Sequence, residues 1–273
     1  DCLTPRTVLR EMGDLGFFGI RYPEVHGGSG LNTLATVVLA EELGRSTFGG
    51  FAVTVLVHTD MASPHLVNAG NDVQMAKYMP GIIAGETITA VAVTEPDAGS
   101  DVAGMKTRAV RDGDDWVLNG SKMFITNGVH GDLFFVAAKT DPDAKGSRGI
   151  TMFIVEKDMP GFRVGRALKK MGWFCSDTAE LVFDNCRVPA ENVLGEVNHG
   201  FYAIMKNFQN ERTVLGAQAI GVEVMLDDLF AAPAGVAAGQ VGLAVAVGVK
   251  ELGELRVLEL VDGLDAVGVS GLL

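Results

Sequence analysis

The chain has 273 residues, 48% of them hydrophobic, with 22 Lys and Arg against 34 Asp and Glu for a net charge of −12. That length supports one or two domains around a sizeable core. An acidic chain without a basic run repels phosphate backbones, so nucleic acid is not expected as a partner.

The three cysteines, Cys2, Cys175 and Cys186, lack C-x-x-C spacing. They support neither a disulfide framework nor a zinc ribbon and fit a reducing compartment. The bacterial cytoplasm is the expected location, or the mitochondrial matrix if a transit peptide belongs to the protein. The opening DCLTPRTVLREMG has no signal-peptide pattern and no initiating Met, so the expectation is a chain that begins inside a longer gene.

Residues 4–70 read mainly as helices punctuated by loops. Thr7 to Met12 runs into Gly13, and Leu34 to Leu43 lies between Gly30 and Gly44. Val37, Val38, Leu39 and Leu43, with Glu41 and Glu42 outside, predict one buried face. The intervening YPEVHGGSG reads as loop.

From about Thr89 the period changes. The runs ITAVAVT, WVLNG, KMFIT, LFFVAA, ITMFIVE and ELVFDN are β-rich and bounded by Gly, Pro, Asn or Asp. Asn119-Gly120 predicts a tight hairpin turn. After His199-Gly200 the period is helical again, with Phe201, Ile204, Met205, Phe208, Leu215, Ala219, Val222 and Leu226 on one stripe that also carries Glu211. The expected division is a helical part over 1–89, one antiparallel β domain over 90–198 and a helical part over 199–273.

From about residue 230 the sequence turns Gly/Ala/Val-rich. The stretch 230–249 is long and uncharged enough to weigh as a membrane span. Four glycines, Pro233 and Gln240 make it a poor one, and no span is expected. A frameshifted tail would account for both the bias and the loss of helical pattern.

Two segments can carry chemistry. VAVTEPDAGSD takes a strand into a loop with Thr94, Gly99 and Ser100, where backbone N–H groups and small hydroxyls can meet a polar ligand; a strand followed by a Pro/Gly turn suits the same residues. In KMFITNG, Phe124, Ile125 and Thr126 alternate across a strand, as in any hairpin. Glu211 on an apolar stripe is either a base whose pKa burial raises or a structural carboxylate paired with a neighbouring helix or with Arg212. His26, His58, His65, His130 and His199 lack metal-site spacing, so no metal is expected. The methionines read as core filling.

In series, LREMGDLGFFGIRYPEVHGGSGL, AEELGRS, VAVTEPDAGSDVAGMKTRA, LNGSKMFITNG, FIVEKDMPGFRVG, MGWFCSDTAELVFDNCRVPAENVLG and GFYAIMKNFQNERTVLGAQAIG resemble the acyl-CoA dehydrogenase family of flavoenzymes, from residue 9 to about 228. The resemblance implies an α+β fold: an N-terminal α-helical domain, a central antiparallel β domain and a C-terminal helical bundle, incomplete here, with FAD between the last two. It implies flavin contacts at Val91, Ala92, Val93, Thr94, Gly99, Ser100, Phe124, Ile125 and Thr126. Phe124 stands where several relatives carry Trp.

The implied reaction converts an acyl-CoA thioester to the trans-2-enoyl-CoA, a carboxylate taking the α-proton while the flavin accepts a hydride. Glu211, in NERT, matches the catalytic position of the isovaleryl and long-chain branches. Ser100, Ser147, Gln209 and Arg212 match substrate-side positions. The resemblance further implies electron-transfer flavoprotein as acceptor and a homodimer or homotetramer. The R-x-x-F-G segment that reaches a neighbouring subunit's FAD is not found after Asp228. The contrasting expectation is a non-catalytic fragment or pseudoenzyme that binds at most an acyl-CoA or a protein partner.

Overall fold

Polar caps and glycines divide the N-terminal helices. The computed structural model describes residues 3–231 apart from Thr47 and Lys145. Helix α1 spans Arg6–Asp14 and α2 spans Thr33–Arg45, the latter started by Asn32, whose side chain accepts from the Leu34 amide. Helix α3 (Gly49–Leu56) passes through a π-helical turn, Val57–Ala62, into α4 (Ser63–Ala69). Helix α5 (Asp72–Ile83) begins with a reciprocal capping box between Asn71 and Gln74. Gln74 also donates to the carbonyls of Glu191 and Val193, both at 2.8 Å, and so fastens α5 to the sheet.

Eight strands follow: β1 (Thr89–Ala92), β2 (Arg108–Asp112), β3 (Asp115–Thr126), β4 (Leu133–Lys139), β5 (Ile150–Glu156), β6 (Phe162–Ala167), β7 (Thr178–Pro189) and β8 (Val193–Leu194). Their order is β6-β7-β3-β2-β4-β5-β8, with β1 beside β4. Pairing is antiparallel except for β1 with β4 and the single Arg108–Lys139 pair of β2 with β4. The antiparallel expectation thus holds for most of the sheet.

β4 is buried on both faces. Leu133, Phe135 and Ala137 join a core with α4, α5 and the start of helix α6 (Gly200–Ala231), while Phe134, Val136 and Ala138 join the core on the other face. This is why its sequence reads as a continuous apolar run.

Two sequence expectations are corrected. Asn119-Gly120 is not the hairpin turn but lies inside β3; the turn is Gly113-Asp114, between the paired Asp112 and Asp115. Gly120 is there because Thr107 lies against it, and a Cβ would come within 2.5 Å of the Thr107 hydroxyl. On α6 between residues 201 and 226 the buried residues are Ile204, Asn207, Val214, Ala217, Gln218 and Gly221, whereas Leu215 and Leu226 are about two fifths exposed and Ala219 is exposed. Close packing on α2 selects that face: a Cβ on Gly221 would meet the Glu41 carbonyl at 2.0 Å, and one on Gly44 the Gln218 carbonyl at 2.1 Å. The stretch 232–273, including most of the weighed membrane span, lies outside the described residues.

Candidate active site

The loop after β1 is laced to β3. The Met123 amide donates to the Thr94 carbonyl at 2.9 Å. Lys122 Nζ donates to the Val93 carbonyl at 3.0 Å and to Glu95 Oε1 at 2.7 Å. Glu95 also accepts from the amides of Lys106 and Thr107. The Lys122 side chain is 0% exposed and that of Glu95 4%. Burial pushes the Glu95 carboxyl up, but the Lys122 charge and these hydrogen bonds outweigh it and hold the group below its ordinary value. Burial pulls the Lys122 ammonium down against the opposing charge of Glu95. This ion pair brings the two proposed cofactor segments together.

On those segments Ala92 is buried on the sheet side, Val91 is half-buried against the helices, and Val93 is buried. Thr94 is half-buried; Gly99 and Ser100 are exposed. The β3–β7 register shifts between Lys122 and Ile125, and Phe124 within that bulge has φ +61°. A bulge re-aims a side chain. The Phe124 ring is accordingly 66% exposed, while Ile125 is buried and Thr126 half-buried. The hydroxyls of Thr94, Ser100 and Thr126 have no partner among the described residues. An outward-turned ring with free hydroxyls on its own strand and the adjoining loop suits a planar ligand with polar edges.

Glu211 is half-buried on α6, with its Oε1 accepting from Asn207 Nδ2 at 2.8 Å. Burial raises its carboxyl to about 7, against the Asn207 hydrogen bond and the charge of Arg212. Arg212 is exposed and its guanidinium lies over the Phe208 ring, 5.8 Å from the centroid. Phe208, one turn before Glu211, packs against the same core as Val93 and Ala98, so Glu211 stands on the helix that covers the β1 loop. Gln209 is exposed on α6, and Ser147 is half-buried in the β4–β5 loop, away from that helix turn in sequence and element.

Sequence reading missed the π turn. All six of its residues are buried, including His58 and Asp60. The Thr89 amide donates to His58 Nδ1 at 3.1 Å, and His58 Nε2 lies 3.0 Å from the Ile82 carbonyl, which fits a neutral ring. Burial pulls His58 down to about 4 and pushes the Asp60 carboxyl up. A separate cavity of about 240 Å³, lined by Arg6, Thr54, Ile88, Asn127 and His130 among others, includes none of the candidate residues. Among the described residues no three His, Cys, Asp or Glu side chains cluster as metal ligands, and no helix is long and apolar enough to cross a membrane.

The chain matches two domain families: acyl-CoA dehydrogenase, N-terminal domain, over residues 2–86, which hold helices α1 to α5, and acyl-CoA dehydrogenase, middle domain, over residues 90–186, which hold most of the sheet. The chain is 44% identical over 224 residues to the mitochondrial isovaleryl-CoA dehydrogenase of Pongo abelii, covering 81% of this chain and 53% of that one. It thus spans about half the length of that relative. The crystal structure of acyl-CoA dehydrogenase from Geobacillus kaustophilus superposes with a TM-score of 0.81 at 38% identity, covering 98% of this chain and 73% of that one. An acyl-CoA dehydrogenase from Bacillus anthracis, described as complexed with FAD, superposes with a TM-score of 0.74 at 38% identity, covering 79% and 36%. The chain belongs to the acyl-CoA dehydrogenase family.

Proposed function

We propose that the protein is an FAD-dependent acyl-CoA dehydrogenase in which Glu211 removes the α-proton of the thioester. The observation that carries this reading is the half-buried Glu211 carboxyl, raised to about 7, on the helix that packs over the β1 loop. A base works best when its pKa lies near the operating pH. FAD, when bound, supplies the hydride acceptor. The outward Phe124 ring and the free hydroxyls of Thr94, Ser100 and Thr126 fit the isoalloxazine, with Val91, Ala92, Val93, Gly99, Ile125 and the Lys122–Glu95 pair shaping the segments that carry them. Gln209, Arg212 and Ser147 are the proposed substrate contacts, with Ser100 shared between substrate and cofactor.

A thioester α-proton is too weakly acidic for an unassisted carboxylate, so the thioester carbonyl must meet preorganised donors as charge develops on it. The proposed arrangement extends to an oligomeric enzyme that passes electrons to electron-transfer flavoprotein in a bacterial cytoplasm or mitochondrial matrix.

The test is flavin content and single-turnover reduction. The purified protein should be yellow and release FAD on unfolding. Isovaleryl-CoA or a straight-chain acyl-CoA should bleach it anaerobically, and Glu211→Gln should slow bleaching by at least about 10²-fold, the lower end of what a positioned base contributes. A colourless protein overturns the proposal and favours a non-catalytic role, whereas equal bleaching in Glu211→Gln removes the base assignment and leaves Glu211 a structural carboxylate.

A further inference from the structure

Glu211 has one side-chain hydrogen-bond partner among the described residues, and that partner is itself anchored. Asn207 is 2% exposed and stands four residues before Glu211, directly above it on α6. Its Nδ2 lies 2.8 Å from Glu211 Oε1, 2.9 Å from the Met61 carbonyl and 3.2 Å from the Asp60 carbonyl. An amide nitrogen carries two protons. One satisfies Glu211, and the other is shared by the two carbonyls.

Those carbonyls belong to the π turn. Both lie within the six-residue turn Val57–Ala62, where the backbone departs from the regular helical ladder. The turn is fixed from other sides as well. Asn210 Nδ2 donates to the Asp60 carbonyl at 3.0 Å, and Arg21 donates to the Asn210 side-chain oxygen. The Thr59 hydroxyl donates to the Asp60 carboxyl at 2.6 Å, and the Tyr22 hydroxyl donates to the Thr59 carbonyl.

We infer that Asn207 is a positioning residue that clamps the Glu211 carboxylate to the π turn and so fixes its direction and its proton affinity. The inference deepens the reading of Glu211 as the base and depends on it for catalytic meaning. Arg212 on its own helix acts on Glu211 by its charge; the elements packed on that part of α6 carry Asp60 and His58 on the π turn, with Arg21 behind Asn210, the buried His65 on α4, and Glu156 on β5, which is paired with Lys77. Arg212 lies over Phe208 and forms no close pair with Glu211. Helix α2 meets α6 backbone to backbone at Gln218 and Gly221, roughly 10 Å or more further along, where the Glu41 carbonyl lies against Gly221. The neutral donor of Asn207 is therefore the side-chain hydrogen bond, among the described residues, that favours the ionised form against burial, with the Arg212 charge acting in the same sense from further off.

The test reads the Glu211 carboxyl directly, by isotope-edited infrared titration of ¹³C-glutamate protein with Glu211→Gln as the assignment. Losing one hydrogen bond to the ionised form should move the midpoint upward by about one pH unit in Asn207→Leu. The acid limb of flavin reduction should move with it. Asn210→Ala, which loosens the same turn without touching Glu211, should leave the midpoint in place. If Asn207→Leu does not fold, Asn207→Ser serves, since its short hydroxyl cannot span to the carboxylate. An unmoved midpoint in a folded Asn207 variant, or an equal shift in Asn210→Ala, overturns the inference. A midpoint that moves in Asn207→Leu while Glu211→Gln reduces flavin normally supports the clamp and removes the base assignment instead.

Discussion

Lys122 is a cation with no exposed side-chain surface, and its stability rests on Glu95. Lys122→Met leaves that carboxylate buried with only backbone donors, and breaking a buried pair costs about 3–5 kcal/mol. Lys122→Met combined with Glu95→Gln should recover much of this loss, because neither buried charge remains; urea unfolding of the three variants checks the order. A single-variant cost near zero would mean that water reaches the pair. Neither this pair nor the Asn207 clamp is legible in the sequence. Lys122 and Glu95 are 27 residues apart on different elements, and a lone lysine between Ser121 and Met123 carries no sign of burial. The α6 carboxylate is legible because helical spacing sets Glu211 among apolar residues. Its partner is not, because the π turn that anchors Asn207 has no periodic signature.

At the scale of elements, the meeting of α2 and α6 gives a paired test on one helix. Gly216 has open space where a Cβ would stand, while a Cβ on Gly221 would lie 2.0 Å from the Glu41 carbonyl. Gly216→Ala should stabilise the protein by about 0.5–1 kcal/mol through helix propensity alone. Gly221→Ala should destabilise it, since α2 backbone must move; thermal unfolding of both variants reads the opposite signs. Similar shifts in the two would show that α2 and α6 do not pack this closely. The same contact explains the misread stripe. Periodicity counts Leu215 and Leu226 as core, but the side that packs is chosen by glycines that let two backbones touch. The strands β4, β5 and β7 are legible as apolar runs. β2 and β6, RAVRD and FRVGRA, are short and arginine-rich, with too few apolar residues to register as strands. Asn119-Gly120 carries a turn signature, yet its glycine serves a close approach to Thr107 inside a long strand.

At the scale of the whole molecule, buried titratable groups of opposite kind set how stability depends on pH. His58 and His65 are held down to about 4 by burial, from an ordinary value of 6.5. Between these values the unfolded chain takes up protons that the folded chain refuses, so these groups make stability rise with pH. Glu211, raised from 4.5 to about 7, and Asp60, also raised by burial, act the other way: the folded chain keeps protons that the unfolded chain releases, and stability falls as pH rises. From about pH 4.5 to 6.5 Glu211 and Asp60 act against the two histidines, which flattens the dependence of stability on pH. Below that window it should drop, because Glu95 and Glu156, held below their ordinary values, lose their favourable partners on protonation. His65→Leu removes an imidazole with no partner for either nitrogen, so near pH 7 it should be neutral or stabilising. It also deletes one of the two histidines from the balance and leaves His58 alone against Glu211 and Asp60. Stability should then decline with rising pH across the window by up to about 1.4 kcal/mol per unit, the value of one uncompensated proton. Glu211→Gln should tilt the curve in the opposite sense and less steeply, because that carboxyl is only half-buried. Urea unfolding at several pH values through the window, for the wild type and both variants, measures the three slopes. A wild-type slope left unchanged by both substitutions would mean that His65 and Glu211 titrate alike in the folded and unfolded chains.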